Sequence, residues 1–315
     1  MRNVNALELS VAVCTRNRSA SLIEALESFR GTPTWLRWEL LVIDNASEDD
    51  TQAKLRSFAG TDALPLRVIL EPEVGLAHAR NRALREARSG VVVFIDDDVT
   101  CEGGVVVAHL DAFKDPTVSA TGGRIIPRLP KSTPRWFRDE AFGNTGGPTA
   151  RYDFGDAVLE VGVEIRPLPI GAHFGIRRNV ALEHRGFDAS LGWGVNSIPG
   201  EETVLLDRIR GGAGRILYLP DAIVHHRIGP ERVTLPYFRQ WFERLGRFEA
   251  LRRGRPVGVA RLKALARASF RVAKWQLRLC AERSPSRRPK LHRRLARARG
   301  SLSELIRPTR DGPGV

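Results

Sequence analysis

Short β-branched segments alternate with helical segments over the first hundred residues, and this alternation is the strongest constraint on the fold. The extended segments are LELSVAVCTRN, WELLVIDNAS, LRVILEP and GVVVFIDDD, and each ends in polar residues. Strands that alternate with helices predict an α/β fold, in which helices cover both faces of a mostly parallel mixed sheet. Ligands of such sheets bind beyond the carboxyl ends of the strands. The polar residues after each strand are therefore the first candidates for a functional site.

The second part of the chain is less regular. Residues 121–170 are rich in Gly and Pro, which predicts long loops with a short strand at VLEVGVEI. Order returns at GAHFGIRRNVALEHRGFD. The segment GEETVLLDRIRGGAGRILYLPDAIVHH then reads as helix, turn and strand. We expect one catalytic domain over residues 1–228, with halves at about 1–120 and 121–228.

Positive charge is concentrated at the C-terminal end. Of the 50 Lys and Arg residues, 23 lie in residues 229–315, against 6 acidic residues there, whereas residues 1–228 carry 27 basic and 30 acidic groups. We expect a basic extension of two amphipathic helices over 229–315. The second has an apolar stripe formed by Leu262, Leu265, Ala266, Phe270, Ala273 and Leu277, and beside it a basic stripe formed by Arg267, Arg271, Lys274 and Arg278. Such a helix suits either an anionic membrane surface or packing onto the catalytic body.

Cysteine use and hydropathy bear on the cellular compartment. The three cysteines are far apart in the chain and form no C-x-x-C pair, which argues against a zinc ribbon or a disulfide framework. No apolar run approaches the roughly 20 residues that a membrane-spanning helix needs. We expect a cytoplasmic protein, either free or peripheral at the inner face of the membrane.

Three consecutive aspartates follow a run of five apolar residues. In an ideal strand Asp96 and Asp98 point to one side and Asp97 to the other. Two carboxylates on one side form a site for a hard divalent cation such as Mg²⁺ or Mn²⁺, which would relieve their repulsion. The alternative is a solvated acidic turn, but the position of the aspartates directly after an apolar strand favours a functional site.

Two further pairs of adjacent residues, one of glutamates and one of histidines, are candidates for the functional site, and each also has a purely structural explanation. Glu201 and Glu202 open a predicted helix, where acidic residues are common because they favour the helix N-terminus. His225 and His226 end a predicted strand, and neutral imidazole can bind a divalent metal. Neither pair alone would outweigh a purely structural role.

Taken in order, VAVCTRNR, LLVIDNASEDDT, GLAHARNRAL, VVVFIDDDV, GAHFGIRRNVALEHRGFD, GEETVLLDRI and LPDAIVHH resemble family 2 glycosyltransferases over residues 9 to about 240. The resemblance implies a GT-A fold, one Rossmann-like domain that binds a nucleotide-diphosphate sugar and a divalent metal. It implies Asp98 as metal ligand, Asp96 on the ribose or the metal, and His226 on the metal or diphosphate, with His225 as the alternative. The residues that it implies for the nucleotide-sugar pocket are Thr15, Arg16, Asn17, Asp44, Arg80, Asn81, Asp96 and Asp97.

The resemblance also implies the acceptor side. The segment with Gly171, Ala172 and His173 resembles the family's acceptor loop, although His173 replaces a residue that often carries an amide. Trp193 either stacks on a sugar ring or is an ordinary partly buried tryptophan. The family takes its catalytic base from a Glu-Asp pair, whereas this chain has Glu-Glu. By position Glu202 is the candidate base, and Glu201 is the alternative.

The predicted function is an inverting, metal-dependent glycosyltransferase in polysaccharide or glycoconjugate synthesis. The donor is a nucleotide-diphosphate sugar, with UDP favoured, and the acceptor is a glycan, a lipid-linked glycan or a small molecule. A nucleotidyltransferase is the enzymatic alternative, although CTRNRSAS lacks the glycines of its usual phosphate loop. The non-enzymatic alternative is a basic protein that binds nucleic acid or a membrane surface. Because the C-terminal part contains no recognised nucleic-acid motif, no nucleic-acid partner is expected.

Overall fold

The computed structural model describes residues 7–60, 64–141, 145–194, 198–212, 214–254 and 256–307. The described parts of Met1–Leu129 and Gly143–Ile228 form one compact unit, and those of Pro130–Phe142 and Gly229–Val315 form a second. The described residues 130–141 group with the C-terminal part of the chain, whereas the sequence predicted one division after residue 228.

A mixed sheet forms the centre of the first unit. Its strands are β1 Leu9–Thr15, β2 Trp38–Asp44, β3 Leu66–Leu70, β4 Val91–Asp96, β5 Val99–Cys101, β6 Val118–Arg128, β7 Thr145–Gly146, β8 Arg151–Tyr152, β9 Leu159–Glu160, β10 His173–Arg177 and β11 Arg215–Arg227. The main order is β3-β2-β1-β4-β10-β6-β11-β5. Strands β3, β2, β1 and β4 are parallel, β6 is parallel to β11, and β10 runs antiparallel between β4 and β6. The predicted mostly parallel mixed sheet is confirmed.

Helices accompany the strands of this unit. They are α1 Ser19–Glu27, α2 Thr51–Ala59, α3 Leu76–Glu86, α4 Val105–Ala112, α6 Arg178–Glu183 and α7 Glu201–Arg210, while α5 Arg135–Ala141 belongs to the second unit. Successive residues of β2 enter different cores: Leu40 and Val42 pack with α1, α2 and α4, whereas Leu41 and Ile43 pack with α3 and α7. The central strands are apolar on both faces because both faces are covered.

Strand β6 corrects the prediction of a loop from residue 121 onward. The pair Gly122 and Gly123 reads as a loop signal, but both lie inside an eleven-residue strand. A Cβ on Gly122 would lie 2.8 Å from Pro169, and one on Gly123 would lie 2.0 Å from the ring of His173. The glycines therefore make room for neighbouring side chains rather than for a turn.

The second unit is helical. Its long helices are α8 Leu235–Arg252, α9 Gly258–Ala281 and α10 Arg288–Ile306, whereas the sequence predicted two. Helices α8 and α10 cross closely, since a Cβ on Gly300 would lie 1.8 Å from the carbonyl oxygen of Glu243. Arg247 and Glu304 form a mostly buried ion pair across the same crossing, at 3.3 Å. Among the described residues, no helix is both long enough and apolar enough to cross a bilayer.

Candidate active site

The carboxyl ends of β1 and β4 lie side by side, because the two strands are parallel and in direct register. Thr15 ends β1, and its hydroxyl donates a 2.7 Å hydrogen bond to Asp97. Strand β4 ends at Asp96, so the alternation expected of an ideal strand does not continue through Asp97 and Asp98. This corrects the expected orientation: Asp97 joins the cluster instead of pointing away from it.

Arg18 holds the second and third aspartates together. Its Nη1 lies 3.0 Å from Oδ1 of Asp97 and 3.0 Å from Oδ2 of Asp98. Burial nevertheless raises the pKa of Asp97 to about 6, against the opposing effect of Arg18. Burial also raises the pKa of Asp96, and the nearby Asp98 adds to this, although Arg80 opposes it. Arg18 and Arg80 therefore offset only part of the effect of burial on these aspartates.

Arg80, on α3, connects this cluster to the second carboxylate pair. Its guanidinium is 2.7 Å from Glu201, 3.2 Å from Asp96 and 2.7 Å from the carbonyl oxygen of Gly171. The side chain is almost completely buried. It lies 5.5 to 5.9 Å from three aromatic ring centres, which belong to Phe94, Phe174 and Phe187. These rings fix the arginine in place, and the carboxylates compensate its charge.

The two adjacent glutamates at the start of α7 have different surroundings. Glu201 is buried, and in addition to the Arg80 pair it accepts a hydrogen bond from the backbone N–H of Gly200. Glu202 accepts only a long backbone hydrogen bond, 3.3 Å, from Gly171 among the described contacts. Burial and the charge of Glu201 raise the pKa of Glu202 to about 7. A carboxylate with this pKa can take up a proton near neutral pH.

His226 and Asp98 form the part of the site that could hold a metal. Nδ1 of His226 lies 2.9 Å from the carbonyl oxygen of Thr149, so Nδ1 carries the proton and Nε2 has the lone pair when the ring is neutral. Nε2 faces Oδ1 of Asp98 at 3.3 Å. Two electron-pair donors that face each other suit a divalent cation, so these residues fit a bound metal. His225 lies on the other face of β11 and contacts Glu102 at 2.9 Å.

The described side chains do not make a complete metal site by themselves. Among residues whose placement is described, no group of three or more His, Cys, Asp or Glu side chains is arranged to hold an ion. Asp98 and His226 would therefore contribute part of a coordination shell. Mg²⁺ commonly completes such a shell with water and substrate phosphate oxygens.

Further polar residues lie at the ends of β1 and β2. One carboxylate oxygen of Asp44 accepts from the backbone of Ser47, while the other is buried without a hydrogen-bond partner in the described structure. Nη1 of Arg16 is likewise buried without one, although Nη2 contacts Glu48 at 3.3 Å. Asn17 has a positive φ of 54° and bonds through its backbone N–H to Ser47. The unsatisfied atoms of Asp44 and Arg16 are able to bind a ligand.

Two predicted site residues have structural contacts instead. Both amide atoms of Asn81 bond the backbone of Phe187, at 2.8 and 2.9 Å. The ring of His173 is fully buried, and its Nε2 lies 2.8 Å from Nε2 of His109. Burial lowers the pKa of His109 to about 3 and that of His173 well below its usual value. His173 therefore lies in the core, because the alternation of β10 turns its side chain away from the solvent.

The other three residues predicted for the acceptor side have different contacts. Gly171 contacts both Arg80 and Glu202, and a Cβ there would lie 3.0 Å from the guanidinium nitrogens, which is closer than an ordinary van der Waals contact. Ala172 is buried, and its carbonyl oxygen accepts from the backbone N–H of Asp96 at 3.2 Å. The Trp193 side chain is 39% exposed, and its carbonyl oxygen accepts from Leu76 at the start of α3.

Sequence reasoning assigned no role to Arg18 or Thr149. Arg18 was visible as a cation three residues after Thr15, but nothing local indicates that it reaches Asp97 and Asp98 some eighty residues later. The Thr149 contribution is a backbone carbonyl, which leaves no signature in residue identity.

Comparison with known proteins shows the family and the fold of the chain. The family model described as glycosyl transferase family 2 matches residues 10–184. The succinoglycan biosynthesis protein ExoM of Rhizobium meliloti (strain 1021) is 25% identical over 234 residues, which are 73% of this chain and 70% of that protein. The pre-mycofactocin glycosyltransferase of Mycobacterium tuberculosis (strain CDC 1551 / Oshkosh) is also 25% identical, over 70% of this chain but only 42% of its own length.

Two solved structures show the same fold. The mannosyltransferase PcManGT from Pyrobaculum calidifontis, in complex with GDP-Man and Mn²⁺, aligns with a TM-score of 0.53 and 19% identity over 95% of this chain and 74% of its own. GalNAc-T7 with UDP, GalNAc and Mn²⁺ aligns with a TM-score of 0.54 and 19% identity over 79% of this chain and 51% of its own. The predicted GT-A fold is confirmed, and the chain belongs to glycosyl transferase family 2.

Proposed function

We propose that this glycosyltransferase is an inverting, divalent-metal-dependent enzyme that moves a sugar from a nucleotide diphosphate to an acceptor hydroxyl. The observation that carries the proposal is the position of Arg80. One guanidinium contacts Asp96 of the aspartate cluster and Glu201, the neighbour of Glu202. Arg80 therefore connects two functions in one site. The aspartate cluster can bind the leaving diphosphate through a cation, and Glu202 can accept a proton.

Glu202 is the proposed base. Its raised pKa, about 7, makes it a stronger proton acceptor than an ordinary carboxylate. Glu201 is a poor candidate because Arg80 and the Gly200 N–H already hold its two oxygens. Glu202 would take the proton of the acceptor hydroxyl as its oxygen attacks the anomeric carbon and the bond to the nucleoside diphosphate breaks. A single direct displacement of this kind inverts the anomeric centre.

The leaving nucleoside diphosphate carries the negative charge that develops in the reaction. Asp98 and His226 are the proposed ligands of Mg²⁺ or Mn²⁺, which when bound would supply positive charge to the diphosphate. Burial is the main cause of the raised pKa values of Asp96 and Asp97, and the neighbouring Asp98 adds to both, so a cation bound here would favour their ionised forms. Asp44 and Arg16, each with an unsatisfied buried atom, are proposed to contact the nucleoside part of the donor.

The donor and the acceptor are proposed as chemical classes. The two solved relatives bind GDP-Man in one case and UDP with GalNAc in the other, each with Mn²⁺. For this chain we propose a UDP-sugar or another nucleotide-diphosphate sugar as donor. The likeness to a succinoglycan biosynthesis protein supports a glycan or lipid-linked glycan as acceptor, in polysaccharide or glycoconjugate synthesis.

A panel of nucleotide sugars tests the proposal. The protein with Mn²⁺ should show a thermal shift with one or a few of them, and incubation with an acceptor should release the nucleoside diphosphate. A nucleotidyltransferase would instead release pyrophosphate from a nucleoside triphosphate in the presence of a sugar phosphate. Release of pyrophosphate, together with no thermal shift by any nucleotide sugar, would contradict the proposed reaction.

A further inference from the structure

Helix α9 exposes an apolar face. The sequence-predicted apolar stripe suits either packing or a membrane, and the structure decides how three of its members lie. Leu262 is 67% exposed, Phe270 is 68% exposed and Leu277 is 71% exposed. Val259, one turn before Leu262, is 67% exposed and extends the same face. With a helical repeat of 3.6 residues, these four side chains share one side of the helix over about 27 Å.

A different side of α9 makes its contacts within the second unit. Ala268 and Leu279 are its buried residues, and α10 is the helix against which it packs. The exposed stripe is therefore not the face that stabilises the helix. Four large apolar side chains in an exposed row, rather than scattered singly, indicate an interaction surface.

Basic side chains flank this face on one side. Lys263, Arg267, Arg271, Lys274 and Arg278 are all exposed, and α9 contains no acidic residue. A second copy of the helix would bring like charges together along its whole length, which disfavours self-association. An anionic surface would be attracted by the same charges.

A groove adjoins the stripe. Its volume is about 650 Å³, and Phe270 of the stripe forms part of its wall. Arg253, Arg267 and Arg271 also line it, together with the hydroxyl-bearing Ser301. Three guanidinium groups beside apolar surface match the phosphate and the upper acyl chain of a phospholipid.

From this arrangement we infer that the exposed face of α9 binds the surface of an anionic phospholipid membrane. The helix lies in the plane of the interface, with Phe270 and Leu277 inserted among the acyl chains. The basic row contacts lipid phosphates, and the groove takes one headgroup. Nucleic acid would satisfy the charges but would leave the apolar row exposed to water, so the stripe favours a membrane. The inference concerns the second unit alone and does not depend on the proposed transfer reaction.

The experiment is co-sedimentation of the whole chain with vesicles of phosphatidylcholine, with and without about one third phosphatidylglycerol. The full chain should bind the anionic vesicles at low salt, and binding should weaken as salt rises. The pair Phe270→Ser and Leu277→Ser should reduce the partition coefficient at least tenfold, because these side chains would no longer enter the acyl region. The pair Arg267→Gln and Arg271→Gln should reduce it about fivefold per charge.

The matched control is Val158→Ser with Val163→Ser, two exposed valines of the first unit at 56% and 77%. This control should bind as the unaltered chain does, and all variants should keep the melting temperature because every altered residue is exposed. Equal binding to neutral and anionic vesicles would overturn the inference. So would a stripe variant that binds normally, or a protein that ignores vesicles but binds an oligonucleotide or self-associates through α9.

Discussion

Arg80 and Glu201 form an ion pair of 2.7 Å in which both side chains are almost completely buried. This pair separates the roles of two adjacent glutamates. Glu201 is committed to a buried cation, and its charge in turn raises the pKa of Glu202. The same pair links α3 to α7.

Replacement of each glutamate should therefore give a different result. Glu202→Gln should lower the transfer rate by about 10² to 10⁴-fold, because the base is lost, while donor affinity stays unchanged. Glu201→Gln should lower the free energy of unfolding by about 3 kcal/mol or more, since it leaves Arg80 without its closest partner. Steady-state kinetics, donor titration and urea unfolding measure these effects. A Glu202→Gln enzyme with normal turnover would exclude Glu202 as the base.

The transfer rate should depend on pH through Glu202. The base acts only when ionised, so the rate should rise as the pH passes about 7 and level off above it. Measurement of the transfer rate against pH checks this.

The contribution of Glu202 to the free energy of unfolding should change with pH in the opposite direction. Between about pH 4.3 and 7 the Glu202 carboxyl keeps its proton in the folded state but loses it in the unfolded state. Stability therefore falls as the pH rises through this range, and the full cost is reached above pH 7. Glu202→Gln should then be more stable than the unaltered chain at pH 8 by about 1 to 2 kcal/mol, and the two should converge below pH 5. Urea unfolding at both pH values checks this, and a variant that is less stable at pH 8 would contradict it.

The two adjacent histidines allow a matched test of the proposed metal site. His226→Ala should weaken Mn²⁺ binding in the presence of nucleoside diphosphate by about 10-fold or more, because it removes a ligand. His225→Ala should have little effect, since His225 faces Glu102 on the opposite side of β11. Calorimetric titration with Mn²⁺ distinguishes them. A larger loss in His225→Ala would show that the assignment is off by one residue.

Strand β6 should not tolerate a side chain at Gly123. A methyl group there would overlap the His173 ring, so Gly123→Ala should lower the free energy of unfolding by about 3 kcal/mol. Gly90 is the control, because a Cβ at this position meets no atom within 4 Å. Gly90→Ala should leave stability within about 0.5 kcal/mol of the unaltered chain. Denaturant unfolding compares the two, and equal stabilities would mean that the His173 ring can move aside.

The buried His109 and His173 pair should make the first unit sensitive to acid. Both pKa values are lowered by burial, so the unfolded state binds more protons than the folded state below about pH 6.5. The stability that these two histidines contribute is complete above that pH and should fall below it by up to about 1.4 kcal/mol per pH unit for each histidine. Glu202 and Asp97, whose pKa values burial raises, change stability in the opposite direction over part of this range, so the test is the difference between His109→Gln and the unaltered chain. Unfolding curves of both at pH 7.5 and 5.5 should show that the variant loses less stability on acidification, and the same loss in both would remove His109 as a cause.

The alternation of apolar strands and helices was sufficient to predict the α/β class and the sheet edge at which the site lies. Local chemistry also identified Asp96 and Asp98 as candidates, because charged residues after buried strands are costly without a ligand or partner. The glutamate pair became a candidate through the family resemblance. Pattern alone did not predict β6, since a glycine that accommodates a neighbour looks the same in sequence as a glycine in a turn. The family resemblance placed His173 and Asn81 at the ligand site, although His173 is buried against His109 and both amide atoms of Asn81 bond the backbone of Phe187.

Tertiary structure decided which partner each member of an adjacent pair meets. Glu201 differs from Glu202, and His226 from His225, only in the direction of the side chain and in the partner that it meets. It also decided that the apolar stripe of α9 is exposed while Ala268 and Leu279 are buried. Sequence determines the local propensity and the periodicity of a segment. The face that meets a partner depends on residues far away in the chain, because contact energies and desolvation exist only once those residues have been brought together.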